Sequence, residues 1–424
     1  MATIKPFRAV RYVPGIAPEK VVTQPYDKIP PALWKTYKER DPHNLVNLIL
    51  PSEEEAAAHG CDKYTWAARQ FRSWLDEGVL VRDPAPGFFP YRQSFDIFGW
   101  HHVRSGFIGL LQTEEYGAKI VFPHERTLTK PKADRLSLLR ATRTHFGQIF
   151  LLYEDDGTAQ AVIDASMAKP PVVSFKDDFA VTNDLWRLDD GKAVASLQRA
   201  LANKQVFIAD GHHRYETSLK YAQSLPNDPH AQFTLAMFIN VHAPLVVLPT
   251  HRTVAGVAGY DRKEIRTVLG RSFELTPCAS LMETLEAVQS PAGPVCIGCY
   301  DGSAWFTALL KDGEAMRRAM PNKSDAWRAL DVAVLHTLVI EQALGLTQAQ
   351  VEQEAGIGYW RDPNEACAAV MSGAAQCAFF LRGTQPAQVC AVARNGEVMP
   401  QKSTDFYPKP LSGLAMYPLD LQQP

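Results

Sequence analysis

No apolar run in this sequence is longer than a strand. The longest, such as "VFIA" and "LVVL", are far too short to cross a bilayer, so no membrane span is expected. An excess of charge of one sign is also missing: a formal net charge of −2 gives no field that would hold nucleic acid. Seven cysteines in 424 residues make no disulfide scaffold, and the odd count suits a reducing compartment. The opening "MATIKPFRAVRYVPG" carries cations but no apolar segment of secretory length. These absences lead to the expectation of a cytoplasmic protein that partners neither membrane nor nucleic acid. There is no internal repeat and no low-complexity tract, which excludes solenoids and arrays.

What is present is the composition of a globular chain, 46% hydrophobic and 21% charged. At 424 residues it exceeds what one core usually organises, so two or three domains are expected. "EEEAAAHGCDKYTWAARQFRSWLDEGVL" reads as a helix stopped by Gly78. "GFFPYRQSFDIFG" and "HHVRSGFIGLLQTEEY" read as a hairpin around Gly99. "IFLLYE", "QVFIAD" and "FTLAMFINV" are buried strands, with helices from about Lys132 and from Arg214 or Tyr215 between them. From about Asp261 the pattern restarts with two helices, the strands "GPVCIGCY" and "AWFTALL", and the apolar helix "DVAVLHTLVIEQALGL". "QCAFFLRG" and "QVCAVARNG" read as its last strands. The fold class expected is α+β, in four parts: a segment over 1–87, a core over 88–260, a second α+β unit over 261–395 and a tail over 396–424.

Three polar clusters carry the chemistry. In "IADGHHRYETSLKYA" a strand ends at Asp210 and a helix follows directly. Gly211 permits a left-handed backbone, and helix N–H groups point into the loop, which suits an anion. His212, His213 and Arg214 add donors. Adjacent histidines point apart, so they make a poor metal pair; an ordinary helix cap is the bland alternative. In "FPHERTLTKPKADR", His124, Glu125 and Arg126 sit among further cations. A carboxylate there stays ionised and can serve as a base or hold Mg²⁺, unless the stretch is a solvated basic loop. In "MPQKSTDFYPKP", Gln401, Lys402, Ser403, Thr404 and Lys409 have phosphate-binding chemistry, but with no glycine before Lys402 this is not a Walker loop. Tyr26 and Asp27 in "TQPYDKIP" read as a turn, and His251 and Arg252 in "PTHR" as a strand end. The Cys296–Cys299 spacing lacks a partner pair and reads as two buried thiols; His336 reads as a core histidine.

Taken in order, "PYDKI", "PHERTLTKPKADR", "LWRLDD", "IADGHHRYETSLKYA", "PTHR", "DVAVLH" and "MPQKSTDFYPKPLSGL" resemble the DUF1015 family over nearly the whole chain. The strand–"DGHHR"–helix stretch is also similar to the phosphate-binding motif of the ParB/sulfiredoxin fold. That fold includes CTP-binding partition proteins, sulfiredoxin and free-serine kinases using ADP or ATP. The resemblance implies a ParB/sulfiredoxin-like core, with the tail of the second unit returning to the site. It implies a small-molecule phosphotransferase, a nucleotide-dependent kinase acting on serine or a related hydroxy or amino acid, with ATP or ADP and Mg²⁺ as cofactors. Under it, Glu125 is the base, although it lies further upstream of the loop than the kinases' glutamate does. Asp210 holds Mg²⁺ or orients the hydroxyl. His213 and Arg214 neutralise the phosphoryl charge beside Gly211 and His212, and Lys402, Ser403 and Thr404 close over the phosphates. His124, Arg126, Tyr26, Asp27, His251 and Arg252 line the substrate. Sulfinic-acid repair is not expected, because His212-His213 stand where sulfiredoxin has a cysteine beside its histidine. A phosphatase of phosphoserine-like esters and a non-catalytic nucleotide or metabolite sensor remain alternatives. The partners expected are a small-molecule substrate and a nucleotide; a homodimer is compatible with the sequence and not required by it.

Overall fold

The computed structural model describes residues 2–125, 129–289, 293–347, 349–350 and 355–421. The chain divides into two compact units, Met1–Pro123 with Thr127–Leu245 and Pro408–Pro424 in unit 1, and His124–Arg126 with Val246–Tyr407 in unit 2. Both mix helices with a sheet, so the fold is α+β as expected.

The frame of unit 1 is a nine-stranded sheet. Its strands are β1 (Ile4–Lys5), β2 (Phe89–Ile97), β3 (Trp100–Gln112), β4 (Val121–Phe122), β5 (Ile149–Tyr153), β6 (Val173–Lys176), β7 (Thr182–Leu185), β8 (Val206–Asp210) and β9 (Phe233–Asn240). They lie in the order β4-β8-β5-β9-β3-β2-β7-β6, with β1 added beside β3. β8 runs parallel to β4 and antiparallel to β5, while β5 runs parallel to β9. Every residue of β5 and β9 is buried, which is why these segments are almost wholly apolar rather than alternating. On one side, Ala159, Ile163, Leu197 and Leu201 of the helices Thr158–Ser166 and Gly191–Leu201 join the core of Phe107, Leu151, Ile208 and Phe238. The helices Thr129–Thr142 and His212–Ser224 pack against each other. β2 and β3 meet at Phe98 and Gly99, whose φ angles of +55° and +79° give a two-residue turn with both centres left-handed.

The last stretch of the chain is part of unit 1. Thr23 bridges to Ser412, Val10 to Met416, and Tyr417–Pro418 pairs with Thr144–His145. Met416 sits in a cluster with Val10, Leu45, Phe71, Trp74 and Phe146.

Unit 2 is built on a six-stranded antiparallel sheet of β10 (His251–Val254), β11 (Phe273–Cys278), β12 (Cys296–Tyr300), β13 (Trp305–Leu310), β14 (Ile357–Trp360) and β15 (Cys377–Phe380). Their order is β11-β13-β12-β15-β10-β14. All seven cysteines are free thiols. No helix among the described residues is long and apolar enough to cross a membrane.

Three sequence expectations need correction. The helix expected from Glu53 to Gly78 is two, Glu53–Ala58 and Lys63–Asp76. Gly60 turns left-handed at φ +66°, and the Asp62 carboxylate caps the second helix through the N–H groups of Tyr64 and Thr65. The segment "QVCAVARNG", expected as a strand, lies in the helix Pro386–Arg394, opened by a proline and a Gln385–Gln388 capping box. The helix expected from Arg214 or Tyr215 starts at His212. The two histidines and the arginine therefore occupy its first turn.

Candidate functional site

β8 ends in a register shift between Ile208 and Asp210 against β5, which turns the chain out of the sheet at Asp210. Gly211 follows at φ +91° and starts the 13-residue helix His212–Ser224. An added Cβ on Gly211 would lie 2.9 Å from Arg214 Nη2 and 3.0 Å from its Cζ and Nε. Glycine is thus required twice, for the backbone angle and for the room in which the Arg214 side chain folds back under the loop.

Folded back in this way, Arg214 places Nη2 2.7 Å from Asp210 Oδ2 and donates from Nη1 to the Gln148 carbonyl. Its Nε is buried with no hydrogen-bond partner among the described residues. The other oxygen of Asp210, Oδ1, accepts from Lys409 Nζ at 2.9 Å. Burial by itself would raise the pKa of Asp210; Lys409, Arg214 and Lys28 outweigh it and hold the carboxyl well below its usual range. Three cations therefore act on one carboxylate at a helix N-terminus, and positive potential is left over for an anion. Mg²⁺ wants carboxylate oxygens free of cationic partners. Both oxygens of Asp210 already face a cation, so this carboxylate as arranged does not fit a Mg²⁺ site.

Beside Arg214, unit 1 opens into a pocket of about 590 Å³ of non-atom space that is open to solvent. Ile49, Leu138, Leu139, Phe146 and Ile149 give it apolar walls. Tyr26 lines it too, with the Arg135 guanidinium 4.4 Å over its ring. Burial, then Asp27, raises the Tyr26 pKa, and the charges of Arg214, Arg135 and Asp210 all reach its hydroxyl. Tyr26 thus stands among the charged groups of the loop, brought there by the turn Tyr26–Lys28 that also carries Asp27. His145 lines the pocket as a neutral ring, its pKa pushed down to about 4 by burial. Thr144, Thr217, Ser218, Thr234 and Ser412 supply hydroxyls.

The remaining expected site residues lie in unit 2. His124 Nε2 is 2.9 Å from Thr404 Oγ1, and that hydroxyl is 3.5 Å from Glu125 Oε1. Arg252, fully buried, donates from Nη2 to the carbonyls of Gln401 at 3.2 Å and Lys402 at 2.8 Å, and from Nη1 to Thr250. Burial pushes its pKa down to about 10 and that of the adjacent His251 to about 4. Lys402 is exposed in a left-handed conformation at φ +54°, and Ser403 donates to the Pro400 carbonyl. Arg126 lies outside the described residues. Unit 1 thus gathers Tyr26, Asp27, Asp210, Gly211, His212, His213 and Arg214. Unit 2 gathers His124 and Glu125 about Thr404, and Arg252 about Gln401 and Lys402. Sequence reasoning missed Lys28 and the hydroxyls of Thr217 and Ser218, and it grouped Lys409 with Lys402 instead of with Asp210. The one available signal was the helical spacing that puts Thr217 and Ser218 one turn after His213 and Arg214.

A family model described as "Protein of unknown function (DUF1015)" matches residues 4–333. A comparison with curated proteins returns no match. Among solved structures, a conserved hypothetical protein from Pyrococcus furiosus is 14% identical, with 72% of this chain and 94% of that one covered at a TM-score of 0.33. A free serine kinase in complex with AMP is also 14% identical, over 72% and 90% at 0.33. SbnI from Staphylococcus aureus, with a C-terminal truncation, is 10% identical, over 75% and 90% at 0.35. Likeness at this level carries nothing over to this chain.

Proposed function

As the chain belongs to the DUF1015 family, whose description names no activity, its own residues carry the reading: we propose a small-molecule phosphotransferase that seats a nucleotide or phosphoester on the loop Asp210–Arg214. One observation supports this above the rest. Arg214 and Lys409 converge on Asp210 at 2.7 and 2.9 Å, under a glycine that leaves no space for a side chain, with Arg214 Nε still unused. Asp210 acts here as an organiser that fixes a guanidinium and an ammonium before any ligand arrives. Arg214, the Lys409 ammonium and the first-turn N–H groups are the donors this reading gives to a phosphate. Such fixed positive charge is worth most where the transferred phosphoryl group builds negative charge. A strand, a glycine and a helix with arginine in its first turn also agree with the ParB/sulfiredoxin-like core that the sequence resembles.

Asp210 is not the proton acceptor in this reading, because two cations stabilise its ionised form and weaken it as a base. The acceptor we assign is the hydroxyl of serine or a related hydroxy or amino acid, and the nucleotide ATP or ADP. Incubating the protein with ATP or ADP, Mg²⁺ and L-serine should yield phosphoserine, and nucleotide should raise the melting temperature. Phosphate release from phosphoserine without nucleotide would turn the reading into a phosphatase. Nucleotide stabilisation without turnover of any hydroxy acid would turn it into a sensor. Arg214→Ala should abolish the stabilisation; its survival would remove the loop from the reading.

A further inference from the structure

Four hydroxyls in the pocket beside Arg214 share one polarity. A hydroxyl has one proton to give and two lone pairs. Thr217 Oγ1 gives its proton to the His213 carbonyl at 2.7 Å. Ser218 Oγ gives its proton to the Arg214 carbonyl at 2.8 Å. Ser218 and Thr234 lie 2.9 Å apart, and since Ser218 has no second proton, Thr234 is the donor between them. Thr144 Oγ1 gives its proton to the Thr142 carbonyl at 2.9 Å. Four hydroxyls that line one pocket have thus spent every proton on the protein and offer a ligand only lone pairs. The donors of the lining include Arg214, one turn before Thr217 and Ser218 on the same helix, Arg135, and the hydroxyls of Tyr26 and Ser412. A ligand that fills this space therefore meets two cations, acceptors along the helix His212–Ser224 and apolar walls.

We infer that this pocket selects a ligand carrying an N–H donor in addition to its anionic group, with Thr217 and Ser218 as the residues that determine that specificity. The inference rests on the proposed phosphate seat at Arg214, and it adds what the rest of the ligand must be. Two sources share the chemistry: a nucleotide base with an exocyclic amino group, and the primary amine of a phosphorylated amino acid. A buried acceptor left without a donor is penalised more than a formed bond gains, so a ligand lacking only the N–H group should be rejected.

The test uses two matched pairs on the full-length protein, by calorimetric titration. One pair is ADP against purine riboside 5′-diphosphate, which lacks only the amino group. The other is O-phospho-L-serine against 3-phosphooxypropanoate, which lacks only the amine. In whichever pair binds, the amino member should bind about tenfold tighter or more, the worth of one buried hydrogen bond. Thr217→Val, which keeps the shape, and Ser218→Ala should each shrink that ratio, because the deaminated member no longer leaves an acceptor unpaired and the amino member loses its partner. Equal affinity within a binding pair overturns the inference and leaves the phosphate seat standing. A ratio unchanged in both variants overturns the assignment to Thr217 and Ser218. Failure of all four compounds to bind the wild type removes the phosphate seat itself, and the inference falls with it.

Discussion

Lys409 holds Asp210 from 199 positions away in sequence, with its Nζ 2.9 Å from Oδ1 and only 8% and 14% of the two side chains exposed. Arg214 holds the other oxygen from one helical turn away. One of the two cations is thus local and the other comes from the end of the chain.

Replacing Lys409 by methionine keeps much of the stem and removes the charge. Asp210 then keeps only Arg214 as a close partner in a buried setting, and unfolding by urea should show a loss of about 1–3 kcal/mol. Nucleotide or phosphoester stabilisation should fall in the same variant. Full stability would mean that the ammonium contributes nothing to Asp210.

Gly211→Ala should cost about 1–2 kcal/mol for the left-handed backbone alone. The new Cβ also meets Arg214 Nη2 at 2.9 Å, so ligand stabilisation should drop as well. Gly157→Ala is the control. It stands at φ +99° before the helix Thr158–Ser166 with nothing within 4 Å, so it should show the backbone penalty and leave ligand binding intact. Equal ligand binding in both variants would refute the role given to the glycine.

The depressed pKa of Asp210 makes a prediction about acid. A carboxyl whose pKa is lower in the folded state than unfolded stabilises the fold above its ordinary value of 3.8, and that contribution is lost as pH falls below it. The stability difference between wild type and Asp210→Asn should therefore be flat from neutral pH down to about 5 and shrink at lower pH. A difference that grows on acidification would contradict the ion-pair geometry.

Phe98 is 68% exposed and left-handed at φ +55° in the turn between β2 and β3. Asparagine before glycine is the preferred pair for such a turn. Phe98→Asn should raise stability by about 0.5–1 kcal/mol. A lower melting temperature would show that the exposed ring is engaged in packing.

The interior strands could be read directly, because β5, β9 and β8 as far as Ala209 are buried and apolar except at Thr234 and Asn240. The break at His59–Asp62 was hidden by helix-forming residues on both sides, and the left-handed Gly60 and the cap made by Asp62 decide it. The helix Pro386–Arg394 looked like a strand because "QVCAVA" is short and apolar, a case in which capping by Gln385 and Gln388 outweighs pattern. The loop Asp210–Arg214 was legible since strand end, glycine and helix start are contiguous. Its partner Lys409 was not, because no spacing rule connects residues brought together only by the folded chain. The spent protons of Thr217 and Ser218 depend on hydrogen-bond direction, which sequence does not record.

Residues 408–421 belong to unit 1, where Met416 packs with Val10 and Phe146 and Lys409 closes the charge cluster. Unit 2 is encoded wholly before them. During synthesis the second unit can therefore be complete while the first still lacks its final segment. The anion seat is completed only when the segment that carries Lys409 has been made and has joined unit 1. A chain that stops before Lys409 would keep its loop Asp210–Arg214 yet leave Asp210 facing Arg214 without the ammonium that pairs its other oxygen.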